Sequence, residues 1–340
     1  MSLPTARILG IETSCDETSA AVIRDGREIL SNVILSQTEH SIFGGVVPEI
    51  AARAHLRTVV PIFREALRQA DITIDQVSLV AATRGPGLVG PLLVGLTFAK
   101  GVAFASGKPF IGVNHMEGHI AANILEHPDL DTHHLTLIVS GGHTMLVEVK
   151  KFGDYRILGQ TRDDAAGEAF DKVAKLMGLG YPGGARLDRL AAGGDPAYFA
   201  FPRAMKHDDS WRFSYSGLKT AVALHLQSLS ENDFEQHKAD IAASFQEAAV
   251  EVLVVKTVRA AKELGVRDVT ISGGVAANSR LRAWLGEELT AAGKRLFYPS
   301  LSLCTDNAAM IAAAGYYTFR EYGPGEFVDN AVPCLPLTSS

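Results

Sequence analysis

Cysteine is almost missing from this chain of 340 residues: there are three, Cys15, Cys304 and Cys334, and no CxxC pair. An odd, widely spaced set excludes a disulfide scaffold and a cysteine-ligated zinc site, and it fits a reducing cytoplasm. An excess of positive charge is also missing. Lys and Arg number 32 against 38 Asp and Glu, for a formal net charge of −6. That balance excludes a protein that coats nucleic acid through its overall field, while leaving room for a local basic patch. No apolar stretch precedes the first charges, so no signal peptide is expected. The most apolar window, "GLVGPLLVGLTFAKGVAFASG", is interrupted by Pro91, Lys100 and several glycines. It is expected to be a buried glycine-rich helix and not a membrane span. The stretch "TISGGVAANSRLR" is not GxGxxG and has no acidic residue at the expected distance, so a Rossmann reading fails there, and no GxxxxGK[ST] P-loop occurs.

What remains is an ordinary globular composition, 47% hydrophobic and 21% charged, over a length that favours two domains. Residues 6–35, "ARILGIETS…AAVIRDGREILSNVIL", read as strand, turn, strand, turn, strand. The pattern returns at 134–161, "HLTLIVSGGHTMLVEVKKFGDYRILGQT", which predicts an internal structural repeat with one copy opening each lobe. Helical periodicity predicts helices over Pro48 to Ala70, over 240–265 with Gly265 as the stop, and over the small-residue stretch near 308–322. "VRDVTISGGVAANSRLRAWLGEELTAAG" reads as strand, Gly-Gly turn, helix.

Several stretches carry chemistry. "NHMEGH" sets His115 and His119 four apart, on one face if the segment is helical. That spacing suits a metal pair. It is not the H-E-x-x-H of zincin metallopeptidases, because Glu117 is not beside the first histidine. A third ligand is available at Asp306 in "CTDN", whose alternative role is a helix cap. The hairpin turn "GIETSCDET" offers Glu12, Thr13, Ser14, Asp16 and Thr18, a set able to face phosphate and metal. "LIVSGGHT" and "TISGGVAANS" place glycine pairs where backbone N–H groups can approach a ligand, with Asn278 near the second. In "DDAAGEAFDKVAKLMGLGYPGGARLDRLA", Asp171 precedes the Gly183-Gly184 turn and Asp188 follows it, an arrangement suited to ribose hydroxyls or to a plain helix-loop-helix. "FPRAMKHDDSWRFSYSGLKTA" interleaves Arg203, Lys206, Arg212 and Lys219 with Phe201, Trp211, Phe213 and Tyr215. Basic groups with aromatics can hold unpaired nucleotides, and a partly buried loop with a solvated rim is the alternative.

Taken together, "GIETSCDET", "GGVVPEIAARAH", "GPGLVGPLLVG", "NHMEGH", "VSGGHT", "DDAAGEAFDKVAKLMGLGYPGG", "FSYSGLKTA", "SGGVAAN" and "CTDNAAMIA" stand in one order and spacing. In these the chain resembles the tRNA N6-adenosine threonylcarbamoyltransferases of the TsaD type, formerly called O-sialoglycoprotein endopeptidases, from about Ile8 to about Gly323. The resemblance implies an α/β protein of the actin-like ATPase, sugar kinase and Hsp70 fold, with two similar lobes, 6–132 plus about 308–330 and 133–307, around a central cleft. It implies that His115, His119 and Asp306 hold one divalent metal, iron first, with zinc or manganese as other occupants. It implies that Ile138, Val139, Ser140, Gly141, Gly142, Asp171, Gly184, Asp188 and Asn278 line the nucleotide site. Glu12 is expected to act there as a general base or an orienting group. The activity implied is transfer of the threonylcarbamoyl group from threonylcarbamoyl-AMP to N6 of adenosine 37 in tRNAs reading codons that begin with A. The partners implied are tRNA, an inactive paralogue of the TsaB type docking on 43–67, and a small P-loop ATPase of the TsaE type, with no membrane. Two rival readings are a glycoprotein metallopeptidase and a non-catalytic ATP-binding scaffold.

Overall fold

In the computed structural model, which describes residues 5–337, the two hairpin stretches open two sheets with one strand order. The first sheet contains β1 (Arg7–Glu12), β2 (Glu17–Arg24), β3 (Glu28–Ser36), β4 (Leu79–Gly85) and β5 (Phe110–Asn114) in the order β3-β2-β1-β4-β5. The second contains β6 (His134–Val139), β7 (Thr144–Lys151), β8 (Asp154–Gln160), β9 (Asp268–Ser272) and β10 (Arg295–Phe297) in the order β10-β9-β6-β7-β8. In each, the opening strand pairs antiparallel with the next and parallel with a strand from far along the chain: β1 with β2 and β4, β6 with β7 and β9. The internal repeat expected from the two hairpin series is therefore a repeat of topology.

The helices among the described residues are α1 (Pro48–Gln69), α2 (Val89–Ser106), α3 (His115–Glu126), α4 (Ala166–Leu176), α5 (Gly184–Ala191), α6 (Ser216–Ser228), α7 (Glu231–Glu263), α8 (Ser279–Ala291), α9 (Leu301–Cys304) and α10 (Ala308–Tyr322). The chain divides into two compact units, Met1–Leu130 with Lys151–Tyr155 and Pro299–Ser340, and Asp131–Lys150 with Arg156–Tyr298.

In the first unit β1 reads as a continuous apolar run because both of its faces are covered. Side chains alternate across the sheet. Leu9 and Ile11 pack with Val59, Ala66, Leu96 and Ala99 of α1 and α2. Ile8 packs on the other side with Ala309, Ile311 and Ala313 of α10. The small side chains of α10 let it lie close to the sheet. Pro48 opens α1, where its missing N–H and fixed φ cost nothing. The window expected as a buried helix is α2, but only 33% of it is buried within this chain, with Phe104 80%, Val89 53% and Leu93 42% exposed. Its sheet-facing stripe is Leu92, Leu96, Ala99 and Ala103, and the opposite apolar face is left uncovered.

In the second unit α7 starts at Glu231, nine residues before the expected 240. Its added residues, "ENDFEQHKA", have no apolar period to reveal them. They are helical because Ser230 caps them, its hydroxyl accepting from the Asp233 N–H at 3.2 Å, with Glu231 and Asp233 set against the positive helix end. Deeper along α7 the Lys256 side chain is fully buried and donates to Asp208 Oδ1 at 2.6 Å, Ser210 O at 2.8 Å and Arg212 O at 2.7 Å. One ammonium with three acceptors in this way pegs the loop before α6 to the helix.

Candidate metal centre and nucleotide loops

Three strand ends of the first unit supply one site. β1 ends at Glu12, β4 carries Thr83 near its end, and β5 runs directly into α3. These strands are parallel where β4 pairs with β1 and β5, so their carboxyl ends share an edge, the usual position for a site in an open α/β sheet. Asn114 caps α3, its Oδ1 accepting from Met116 N–H at 2.9 Å. His115 is thus the first helical residue and His119 lies one turn on, both buried.

His115 Nε2 is 3.4 Å and His119 Nε2 is 3.5 Å from the same oxygen, Asp306 Oδ1. The rings stand edge-to-face with centroids 4.8 Å apart, and the three candidate ligand atoms lie within 4.8 Å of one another. Two ligand atoms each about 2.1 Å from one ion at a tetrahedral angle are about 3.4 Å apart, so the two His–Asp spacings fit a shared metal. Asp306 is not the helix cap. Asn307 takes that role for α10, accepting from Met310 N–H at 3.0 Å, which leaves the Asp306 carboxylate facing the histidines.

Glu12 is fully buried. Its Oε2 accepts from Thr83 Oγ1 at 2.6 Å and lies 3.1 Å from His115 Nδ1, while Oε1 accepts from the Ser14 N–H. Ser14 Oγ is also 3.2 Å from His115 Nδ1. A histidine that presents Nε2 to an ion and Nδ1–H to a carboxylate is the usual carboxylate–histidine–metal arrangement. Burial pushes the His115 pKa down, but Asp306 and Glu12 outweigh it and hold the ring well above the usual histidine value. Nearby, burial first and then Asp16 and Asp306 raise the Cys15 thiol, and burial, Asp306 and Asp16 raise Glu17. Such a negative field favours a bound cation. Burial also raises Glu117 to about 7, against the lowering influence of Tyr155 and the Asn114 backbone, and Glu117 is not among the grouped metal-ligand candidates.

In the second unit the nucleotide candidates gather around the end of β6. Ile138 and Val139 are buried in the strand, and Gly141 and Gly142 are exposed at its turn. Ser140 Oγ accepts from His143 N–H at 3.1 Å, and Ser140 O accepts from Gly167 N–H at the start of α4 at 3.2 Å. Asp171 Oδ1 accepts from the N–H groups of Gly183 at 2.8 Å and Gly184 at 3.1 Å, so it shapes the glycine turn. Asp188 accepts from Ser279 Oγ at 2.8 Å and joins α5 to the start of α8. Asn278 caps α8, accepting from Leu281 N–H at 2.9 Å and donating to Gln246 Oε1 at 2.7 Å. Each of these polar groups is thus fixed by its own local bonds.

For the basic-aromatic stretch the structure favours the partly buried loop over the nucleotide surface. Phe201, Phe213 and Tyr215 are buried and offer no stacking face. Arg203 and Lys206 both pair with Glu251, and Lys219 pairs with Asp164. The aromatic period there marks core. Ser14 comes from the hairpin turn already read as able to face a metal, whereas Thr83 and Asn114 have roles at the metal cluster that no sequence spacing singled out; only the place of Asn114, directly before a helical histidine, was a usable sign.

Two sheets of one mixed strand order, each flanked by helices, define the actin-like ATPase, sugar kinase and Hsp70 class, here with a His/His/Asp cluster of the kind that holds a metal. Solved structures of that class match along the chain. Full-length HypF in its phosphate- and nucleotide-bound form gives a TM-score of 0.62 at 15% identity, covering 94% of this chain and 56% of that one. The Acidaminococcus fermentans (R)-2-hydroxyglutaryl-CoA dehydratase component A gives 0.56 at 17% identity, covering 93% and 99%. The family model "TsaD: tRNA N6-adenosine threonylcarbamoyltransferase" matches residues 28–313. Proteins of that name from Clostridium botulinum (strain 657 / Type Ba4) and Clostridioides difficile (strain 630) are 51% and 52% identical, covering 97% of this chain and 97% and 98% of theirs. The chain belongs to the TsaD family of tRNA N6-adenosine threonylcarbamoyltransferases.

Proposed function

We propose that this chain binds a divalent metal, iron first, through His115, His119 and Asp306, and an adenylate on the loops of its second unit. It would then move the threonylcarbamoyl group of threonylcarbamoyl-AMP to N6 of adenosine 37 in tRNAs reading codons that begin with A. The observation that carries the metal assignment is the convergence of two histidine nitrogens on one Asp306 oxygen at 3.4 and 3.5 Å. Iron, zinc and manganese all suit this donor set.

The reaction itself is an acyl transfer. The N6 lone pair attacks the carbamoyl carbon, the bond from that carbon to the phosphate oxygen breaks, AMP leaves and N6 loses a proton. The amine is a weak nucleophile, so positioning and charge stabilisation carry most of the rate. A bound metal supplies Lewis-acid polarisation and a template for oxygen ligands. The glycine turns at 141–142 and 273–274 offer backbone N–H groups for a phosphate, while those of Gly183 and Gly184 are held by Asp171. Glu12 serves as the orienting group and not as the base, because both of its oxygens are engaged within the protein. Glu12→Gln keeps the shape and loses the charge. It is expected to weaken metal binding about 10–100-fold, the usual cost of altering such a partner, and to lower transfer in step. Wild-type metal affinity and full transfer by Glu12→Gln would refute the assignment. A metallopeptidase reading needs a carboxylate placed to activate water beside the metal, and Glu117 is not among the residues that converge on the cluster.

The uncovered faces of α1 and α2 form an apolar groove lined by Leu56, Val59, Val60, Leu93, Val94 and Phe98. Leu56 is 65% exposed there. We assign this groove to the TsaB-type paralogue; a TsaE-type P-loop ATPase, tRNA and a cytoplasmic setting complete the reading. Leu93→Glu puts a charge on the apolar groove without touching the core. It is expected to abolish co-elution with the paralogue while the melting temperature stays within a few degrees. Unchanged co-elution would remove the groove from the account.

A further inference from the structure

Beyond the family motifs, residues 325–337 form a segment tied to the sheet edge at every few residues. Gly325 N–H donates to Phe110 O at 2.8 Å, at the start of β5. The Phe327 ring stacks on Phe110 with centroids 5.9 Å apart. Asp329 pairs with Arg84 Nη1 at 3.2 Å and its carbonyl accepts from Lys100 Nζ. Arg84 Nε donates to Asn330 O at 3.1 Å, and Val332 N–H returns a bond to Arg84 O at 2.9 Å. Gly87 N–H donates to Pro333 O at 3.0 Å. The crossing at the end of β4 leaves no room: a Cβ on Gly85 would stand 2.0 Å from Val332 O. The last bond runs from Asn114 Nδ2 to Pro336 O at 3.0 Å. Prolines suit such a segment, since they lose little freedom on ordering and their carbonyls remain as acceptors.

We propose that residues 325–337 are a strap that positions Asn114, the cap of the metal-ligand helix, and through it the His115 ring. An amide has two unlike ends, and here each has one use: Oδ1 takes the Met116 N–H and Nδ2 meets the strap carbonyl. Only one amide orientation satisfies both. Capping alone does not need asparagine, because serine and aspartate cap equally well. Donation to Pro336 does need it, since an ionised aspartate has no donor and a serine side chain is shorter. Asn114 is the residue next to His115, so the direction in which α3 leaves β5 sets where the ring lies relative to Glu12 and Asp306. Asn114 is a positioning residue in this account.

This inference rests on the metal reading of His115, His119 and Asp306, and the test separates the two. Zn²⁺ affinity is measured on the purified full-length protein by competition with a chromophoric chelator, alongside melting temperature and the kinetics of transfer. Asn114→Ser keeps a cap and loses the strap bond. It is expected to bind Zn²⁺ about tenfold more weakly, at a near-unchanged melting temperature, with kcat lowered and KM for tRNA unchanged. Arg84→Ala loosens the strap from its middle through a partly exposed side chain. It is expected to weaken Zn²⁺ binding about threefold alone and to add little to Asn114→Ser, because both act through one connection. A serine variant with wild-type Zn²⁺ affinity, or an Arg84→Ala effect that adds in full to it, overturns the strap. A wild-type protein that binds no Zn²⁺ overturns the metal reading beneath it.

Discussion

His115→Ala is expected to lower divalent-metal affinity by a factor of about 10²–10³ and to reduce threonylcarbamoyl transfer at least as far. Zinc-finger sites are worth about 10–16 kcal/mol across four ligands, so one ligand accounts for roughly 2.5–4 kcal/mol. His115 is bound on both sides: Nε2 lies 3.4 Å from Asp306 and Nδ1 lies 3.1 Å from Glu12. Alanine therefore removes a ligand and also the group between two carboxylates, leaving Glu12 and Asp306 without the ring that separates them. Isothermal titration with a divalent metal measures the first effect, and a reconstituted transfer assay the second. A purely structural histidine would show a lower melting temperature with the metal affinity intact.

Gly273→Ala is expected to damage the nucleotide loop as severely. Gly273 has φ +90° and ψ 166°, a region that side chains other than glycine avoid at about 1–3 kcal/mol. A Cβ there would also stand 2.3 Å from Val139 O and 3.1 Å from Ser140 Cβ. The two penalties push the start of the β9 turn away from the end of β6, the segment assigned to the adenylate. The summed cost is about 2–6 kcal/mol, and a ten-fold or greater loss of AMP affinity is expected with it. Gly274→Ala is the control, since its Cβ meets nothing within 4 Å. Equal AMP binding by both variants would remove this loop from the nucleotide site.

The strands and the repeat were legible because their signal is local: apolar runs and alternation broken by turns over 6–35 and 134–161 became β1–β3 and β6–β8. The histidine pair was legible for the same reason, four residues on one helix. The start of α7 was not, because its first turns are polar and a cap, not a periodic face, makes them helical. The aromatic spacing of 201–215 suited a nucleic-acid surface and a partly buried loop alike, since spacing says nothing of direction, and Phe201, Phe213 and Tyr215 point into the core. The support of His115 comes from positions 12, 14 and 83, brought together only by the parallel pairing of β1, β4 and β5. No one-dimensional pattern holds Thr83. The strap was equally hidden, because a segment with proline and no period becomes meaningful only when its carbonyls are seen against Gly87 and Asn114.

The His/His/Asp cluster is proposed to serve acyl transfer to tRNA. The most direct measurement is single-turnover transfer from labelled threonylcarbamoyl-AMP to tRNA, with the partner proteins present, comparing metal-loaded wild type with His115→Ala under the same metal concentration. The expected result is labelled adenosine with wild type and a rate lower by about 10² or more with the variant. Product formed at equal rates by the two proteins would contradict the metal-centred account.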